Sequence, residues 1–278
     1  MNKHKSLEGA LFEEWSKWLQ NNHPEHGFMY DGIVNQEGWN TAKKKILFIL
    51  KDYNEQNEVV TLDKLDLDDY QDKSKLFNLR YYLQTWVKKS SRWRTWDNIA
   101  RWAFGLMNLT GEYFPDYWKE ADRQGSAQNR VDVLSHIAVM DIKKKPGTSS
   151  CSLSQLKQYL TEYPESITYL GRQLQLYGDL EYLVCCGDGL YDILWNIIDD
   201  NELTGWQIKN KGSVSNHRYA ITTDGKIIID YRHPLLMGKN APHKDKAYIT
   251  LMRIAQEANK NGKTLIPQNH YKLYFLSA

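Results

Sequence analysis

The chain has 278 residues, enough to enclose one large hydrophobic core. Its net charge of +2 is too small for a global field that attracts nucleic acid, so a DNA surface would need local clusters of basic residues. The three cysteines form no CxxC pair, which argues against a disulfide framework or a metal site and for a reduced, cytoplasmic protein. We find neither a secretion signal nor an apolar run of the roughly 18 residues that a membrane span needs.

The first half of the chain predicts one helix, one loop and one buried strand. Leu11, Trp15 and Leu19 recur at helical spacing and predict a helix over 6–20, and the glycine-containing residues 24–42 are expected to form a loop. Five apolar residues then predict a central strand over 45–50, buried on both faces. Directly after this strand come Lys51, Asp52, Tyr53 and Asn54.

The region between this strand and the next one is acidic at first and helical later. Residues 55–75 are expected to form an exposed loop or lid, and two helical stripes follow from Leu76 to Trp102. A basic segment between the stripes contains Arg92, Trp93 and Arg94. These side chains could contact DNA phosphates and sugars, although a solvated connection between helices explains them equally well.

A second strand over 137–140 ends at Asp141, and Lys143 and Lys144 follow in a cationic loop. This loop could face phosphates or be only a polar turn. Helices are expected at 152–161 and 164–176, and a third strand at 182–186 ends in a tight Gly-Asp-Gly turn that is too short for a dinucleotide fingerprint.

The last third of the chain predicts a hairpin and a helix. Asp224-Gly225 lies between two apolar runs, 219–223 and 226–230, which is a strong hairpin signal. The second arm leads into Arg232, His233, Pro234 and Leu235, and a helix is expected over about 245–259.

Alternation of buried strands and helices indicates a single α/β domain over 1–278, with its core at about 43–260. We expect a three-layer α/β/α sandwich with a mostly parallel sheet, in which Asp52, Asp141 and His233 leave their strands at the same edge. The alternatives to a functional role are that Asp52, Asn54 and Asp141 only cap the following elements and that His233 is a structural residue at a strand end.

This constellation resembles the uracil-DNA glycosylase superfamily over roughly residues 43–240. Members carry an acid or amide just after the first strand, a base-reading Asn at the end of the second and a His-Pro motif after the last. Here Asp52, Asp141 and His233-Pro234 stand at those places, although the glycines and proline usual in the first motif are missing. The resemblance implies a cofactor-free, metal-free, monomeric DNA glycosylase that flips its target base.

The resemblance also implies a role for each residue. Asp52 would stabilise the cationic sugar and position water, and His233 would donate a hydrogen bond to the leaving base. Tyr53 and Asn54 would line the base pocket. Basic residues would hold the DNA, and an apolar residue would fill the gap that the flipped base leaves. The predicted DNA-contacting residues are Arg92, Trp93, Arg94, Lys143, Lys144, Arg232 and Leu235.

Asp141 stands where members of the superfamily have an Asn, and this difference predicts the substrate. An ionised Asp can only accept hydrogen bonds, so it suits the exocyclic amine of cytosine and repels the O4 of uracil. Because excision of ordinary cytosine would be lethal, we expect a modified base, as in anti-phage glycosylases that excise glucosylated hydroxymethylcytosine. The alternatives are repair of uracil or another deaminated base, a catalytically silent DNA-binding module, a small-molecule α/β hydrolase or transferase, and a lyase activity through an imine on Lys51.

Overall fold

The computed structural model describes residues 7–24, 26–51, 76–85, 94–111, 113–115, 127–145, 151–198, 201–235 and 243–263. The strands are β1 (Phe28–Tyr30), β2 (Gly32–Ile33), β3 (Ile46–Leu50), β4 (Leu76–Asn78), β5 (Ala138–Asp141), β6 (Tyr182–Cys186), β7 (Ile208–Val214), β8 (His217–Thr222) and β9 (Ile227–Tyr231). The helices are α1 (Leu7–Asn22), α2 (Gln36–Thr41), α3 (Leu79–Thr85), α4 (Arg94–Asn108), α5 (Ala127–Leu134), α6 (Leu153–Glu162), α7 (Glu165–Gln175), α8 (Leu190–Ile198), α9 (Asn201–Thr204) and α10 (Lys244–Lys263). None of the described helices is long and apolar enough to cross a membrane.

Seven strands form one mixed sheet in the order β2-β5-β3-β6-β9-β8-β7. Its core is parallel, because β3 pairs in parallel with β5 and β6, and β6 pairs in parallel with β9. The outer strands β2, β8 and β7 are antiparallel to their neighbours. The chain is therefore an α/β protein with a mostly parallel sheet core.

Helices cover both faces of this sheet, because strand residues alternate between two hydrophobic clusters. Ile46, Phe48 and Leu50 pack with residues of α3, α4, α5 and α10. Leu47 and Ile49 pack with residues of α1, α6, α7 and α8. All five residues of β3 are buried, as expected for the central strand of a doubly covered sheet.

Long or strongly patterned elements agree with the sequence predictions. The helix predicted over 6–20 is α1, and the strands predicted at 45–50 and 182–186 are β3 and β6. The predicted hairpin consists of β8 and β9, with Gly225 at a φ of +90° in the turn, where glycine avoids a steric cost.

Short elements differ from the predictions. Residues 24–42 were expected to be a loop, but they contain β1, β2 and α2. Leu76 was expected in a helix, but it lies in β4, which pairs with β1 in a separate two-stranded sheet. Three-residue strands are too short to show a period, and their pairing partners lie far away in the sequence. The edge strand β7 was also missed, since it carries the polar sequence Ile-Lys-Asn-Lys-Gly-Ser-Val.

A fully buried ion pair joins the loop between β1 and β2 to the loop after β5. Lys144 Nζ donates a hydrogen bond to Asp31 Oδ2, and neither side chain is exposed. Burial lowers the pKa of Lys144, whereas the negative charge of Asp31 raises it. The predicted contact between Lys144 and a DNA phosphate is therefore wrong, because this ammonium lies inside the protein and already has an anionic partner.

Further hydrogen bonds tie this pair to the surrounding elements. Asp31 Oδ2 also accepts from the backbone N–H of Asp141 at 2.8 Å, and Oδ1 accepts from Gln173 Nε2 at 2.9 Å. The ammonium of Lys144 lies 5.3 Å from the ring centroid of Trp15 on α1. One carboxylate thus connects the end of β5 to α7 and, through Lys144, to α1.

We predict that Asp31→Ala lowers the free energy of unfolding by about 3–5 kcal/mol, because it leaves the Lys144 ammonium buried without its carboxylate. Urea unfolding followed by circular dichroism measures this change. The double variant Asp31→Leu/Lys144→Met should lose less than the single variant, since no unpaired charge remains. Glu14→Gln is the matched control, because it breaks the exposed pair with Arg172 and should cost less than about 1 kcal/mol. An Asp31→Ala cost as small as that of Glu14→Gln would contradict the assignment.

Candidate active site

Four parallel strands place chemically useful residues at one edge of the sheet. The carboxyl ends of β5, β3, β6 and β9 lie side by side in that order and carry Asp141, Lys51, Gly187-Asp188 and His233. Neighbouring strands are about 4.8 Å apart, so the ends of β5 and β9 are separated by about 14 Å. The predicted convergence of these strand exits on one edge is confirmed for Asp141 and His233.

The connections between the strands predict a crevice at the end of β3. After β3 it leads to α3, α4 and α5 on one face of the sheet, whereas after β5 and β6 it leads to α6 and α8 on the other face. Connections that part in this way leave a gap at the carboxyl ends of the strands, which is where open α/β sheets bind ligands.

His233 is held in a defined orientation just after β9. The backbone N–H of Leu235 donates to His233 Nδ1 at 3.2 Å, so in the neutral imidazole the proton resides on Nε2. The side chain of Asn98 on α4 donates to the carbonyl oxygen of Pro234 at 2.7 Å and fixes this turn. His233 therefore offers an N–H donor from Nε2 while the turn occupies Nδ1.

The surroundings of His233 favour this neutral form. The residue keeps a solvent-exposed surface, yet nearby protein atoms desolvate its imidazole and lower its pKa. The positive charge of Lys51 lowers the pKa further, and the negative charge of Asp188 opposes both effects. At neutral pH the ring is thus an uncharged hydrogen-bond donor.

The Lys51 side chain lies beside Gly187, at the end of the neighbouring strand β6. A Cβ atom at Gly187 would lie 3.4 Å from Lys51 Cε, and the φ of Gly187 is +146°, which disfavours other residues. The Gly187 N–H donates to the carbonyl oxygen of Tyr231 at 2.8 Å, which joins the ends of β6 and β9. The predicted Gly-Asp-Gly turn is observed, and the Lys51 side chain lies beside it.

Asp141 ends β5 on the far side of the crevice from His233. Its side chain is fully buried, and strand alternation places it on the same face as Val139. The bond from its N–H to Asp31 fixes its backbone. The Asp141 carboxylate therefore lies inside the protein rather than at an open surface.

The remaining predicted site residues divide into two groups. Arg94 is exposed at the start of α4, Lys143 is half-buried beside Lys51 and Leu235 is half-buried after Pro234. Arg232 is half-buried and donates to His217 Nε2 at 2.9 Å. Asp52, Tyr53, Asn54, Arg92 and Trp93 lie outside the described residues.

A separate cavity of about 480 Å³ lies between α6, α7 and α8. It is lined mainly by aliphatic side chains, among them Leu153, Leu160 and Ile193, and by none of the predicted site residues. The described part of the chain contains no group of three or more His, Cys, Asp or Glu side chains that could hold a metal ion.

Sequence reasoning gave Lys51 only a possible lyase role and did not identify Asn98. The Lys51 side chain lies beside Gly187, which is 136 positions further along the chain. Asn98 lies in a helical stripe and resembles any other polar helix residue. No local sequence signal could have revealed either contact.

Comparison with protein-family models, curated proteins and solved structures finds no match to this chain. The interpretation of the site therefore depends on its own chemistry.

We predict that an NMR titration of the His233 ring protons gives a pKa below the ordinary 6.5. The reason is that desolvation and Lys51 both disfavour the imidazolium. His233→Gln identifies the signal by its loss. A midpoint above 6.5 would show that an anionic group dominates at this ring and would contradict the described electrostatics.

Proposed function

We propose that this protein is a monofunctional DNA glycosylase that hydrolyses the N-glycosidic bond of a modified cytosine and leaves an abasic site. The observation that carries the proposal is the neutral, oriented imidazole of His233 at the end of a parallel strand, across a crevice from the carboxylate of Asp141. The resemblance to the uracil-DNA glycosylase superfamily supplies the reaction type.

The chemistry of base excision fits the groups at this edge. Cleavage leaves positive charge on the sugar and negative charge on the base, so a site needs an anion near the sugar and a donor at the base. Asp52 is proposed as the anion, because it follows Lys51 directly at the end of β3. His233 Nε2–H is proposed as the donor to the base O2.

The width of the site agrees with a base held between β5 and β9. The strand ends are about 14 Å apart, which leaves room for a base between them. Asp141 is proposed to accept from the cytosine N4 amine. A glucosylated hydroxymethylcytosine from phage DNA is the proposed substrate, which would make the protein an anti-phage enzyme.

We predict that the protein releases the modified base from phage DNA containing glucosylated hydroxymethylcytosine, detected by mass spectrometry. His233→Ala and Asp52→Ala should each lower the single-turnover rate by roughly 10²-fold or more, because each removes charge stabilisation in the transition state. His136→Ala is the matched control, since His136 lies in the turn before β5, at the opposite edge of the sheet.

Release of uracil alone, with phage DNA intact, would refute the modified-cytosine substrate. A wild-type protein that binds DNA and releases no base, with binding unchanged in both variants, would indicate a silent DNA-binding module.

We predict that Asp141→Asn lowers the rate of modified-cytosine excision and raises the rate on uracil-containing DNA. An amide can donate to the O4 of uracil, which an ionised carboxylate repels. The measured quantity is the ratio of kcat/KM for the two substrates, with urea unfolding as the control for folding of this buried position. Equal loss on both substrates by a folded variant would remove Asp141 from base recognition.

A further inference from the structure

Lys51 lies at the centre of the candidate active site without a described anionic partner. It follows β3, the strand at which the connections part to opposite faces of the sheet. Its residue is half-buried, and the described part of the chain contains no carboxylate that forms an ion pair with its ammonium. A half-buried ammonium without such a partner is suited to binding a negatively charged ligand group.

The Lys51 side chain is directed towards the neighbouring strand β6. The Cε atom passes over Gly187 at the end of β6. The ammonium comes close enough to His233, after β9, for its charge to act on the imidazole. The cation and the Nε2–H donor are thus brought to the same part of the crevice by three adjacent strands.

We propose that Lys51 is a further catalytic residue, whose ammonium stabilises the negative charge that develops on the departing base beside the hydrogen bond from His233. This inference rests on the proposed function and identifies a residue for the same site. It replaces the earlier possibility that Lys51 forms an imine with the sugar.

The proposed step balances without a cofactor or redox partner. The bond between sugar C1′ and base N1 breaks, and its electron pair stays on the base, where the charge spreads to O2. Lys51 and His233 hold this anion by charge and by hydrogen bond, and neither residue transfers its proton. Water adds to C1′ and releases a proton to solvent, and the released base takes a proton from solvent.

A base oxygen explains the arrangement better than a DNA phosphate does. A phosphate keeps its charge throughout the reaction and would need no neutral histidine beside the cation. The leaving base is neutral before cleavage and anionic after it, so a preorganised cation stabilises the transition state more than the bound substrate. Desolvation and the same cation both lower the pKa of His233, and the neutral ring preserves the bond from the Leu235 N–H to Nδ1.

Several charged groups surround His233 and enter the expected pH dependence. Lys51 approaches from β3, and Asp188 from the turn after β6. On the side of β8 and β9, Arg232 is bonded to His217, and the pKa of His217 is lowered by burial and by Arg232. Of these groups, Lys51 is the one whose removal takes away a positive charge that lowers the pKa of His233.

The test compares Lys51→Met, Lys51→Arg and the wild-type chain on DNA that contains glucosylated hydroxymethylcytosine. Lys51→Met should lower the single-turnover rate by roughly 10²-fold while the Kd for DNA changes little, and Lys51→Arg should recover part of the rate. The His233 pKa, measured by NMR, should rise in Lys51→Met, since a nearby positive charge has been removed. Lys17→Met removes an exposed ammonium of α1 and is the matched control.

Three results would overturn the assignment while the wild-type enzyme is active. A weaker Kd with an unchanged rate would show a phosphate contact, for which the salt dependence of binding should also fall by about one unit of slope. A borohydride-trapped adduct that disappears in Lys51→Met would show imine chemistry. An unchanged His233 pKa would show that the two groups do not act on each other. An inactive wild-type chain refutes the proposed function itself, and this inference with it.

Discussion

The buried pair of Asp31 and Lys144 is the interaction on which the candidate active site depends most. It lies where the loop after β1 meets the loop after β5, and the same Asp31 carboxylate accepts the N–H of Asp141. Without Asp31, a fully buried ammonium would lose its counter-charge and the end of β5 would lose a hydrogen-bond partner. Since β5 pairs directly with β3, a change here would extend to the strand that carries Lys51. The two lysines of the loop after β5 therefore differ in role. Lys144 stabilises the protein interior, whereas Lys143 remains half-buried beside Lys51.

The parallel core then determines which residues can act together. Asp141, Lys51, Gly187 and His233 are separated by up to 182 positions in the sequence, yet they occupy four neighbouring strand ends. The site assembles from backbone pairing, and each side chain is then oriented by one or two contacts. Asn98 and the Leu235 N–H orient the turn and ring of His233, while the Lys51 side chain lies beside Gly187. The backbone pairing thus places the site residues on a rigid frame, which the proposed excision of a flipped base would require.

Much of this frame could be predicted from the sequence, because β3, β6 and the β8–β9 hairpin have strong local signals. The five apolar residues of β3 and the Asp-Gly turn before β9 specify their own conformation. Phe28–Tyr30 and Leu76–Asn78 do not, since each becomes a strand only by pairing with the other. Lys143 and Lys144 likewise could not be told apart from the local sequence. The two lysines are identical in sequence terms, and only the distant Asp31 makes one of them a buried structural residue.

The central claim is that the carboxyl ends of the parallel strands enclose a flipped, modified cytosine. The most direct measurement is a crystal structure of the chain bound to duplex DNA that carries a 2′-fluoro analogue of the modified nucleotide, whose electron-withdrawing fluorine slows cleavage. We predict that the base lies over the ends of β3 and β6, with O2 beside His233 Nε2 and Lys51 and with N4 directed towards Asp141. Density for the base elsewhere on the protein, or DNA bound on a helical face with every base stacked in the duplex, would contradict it.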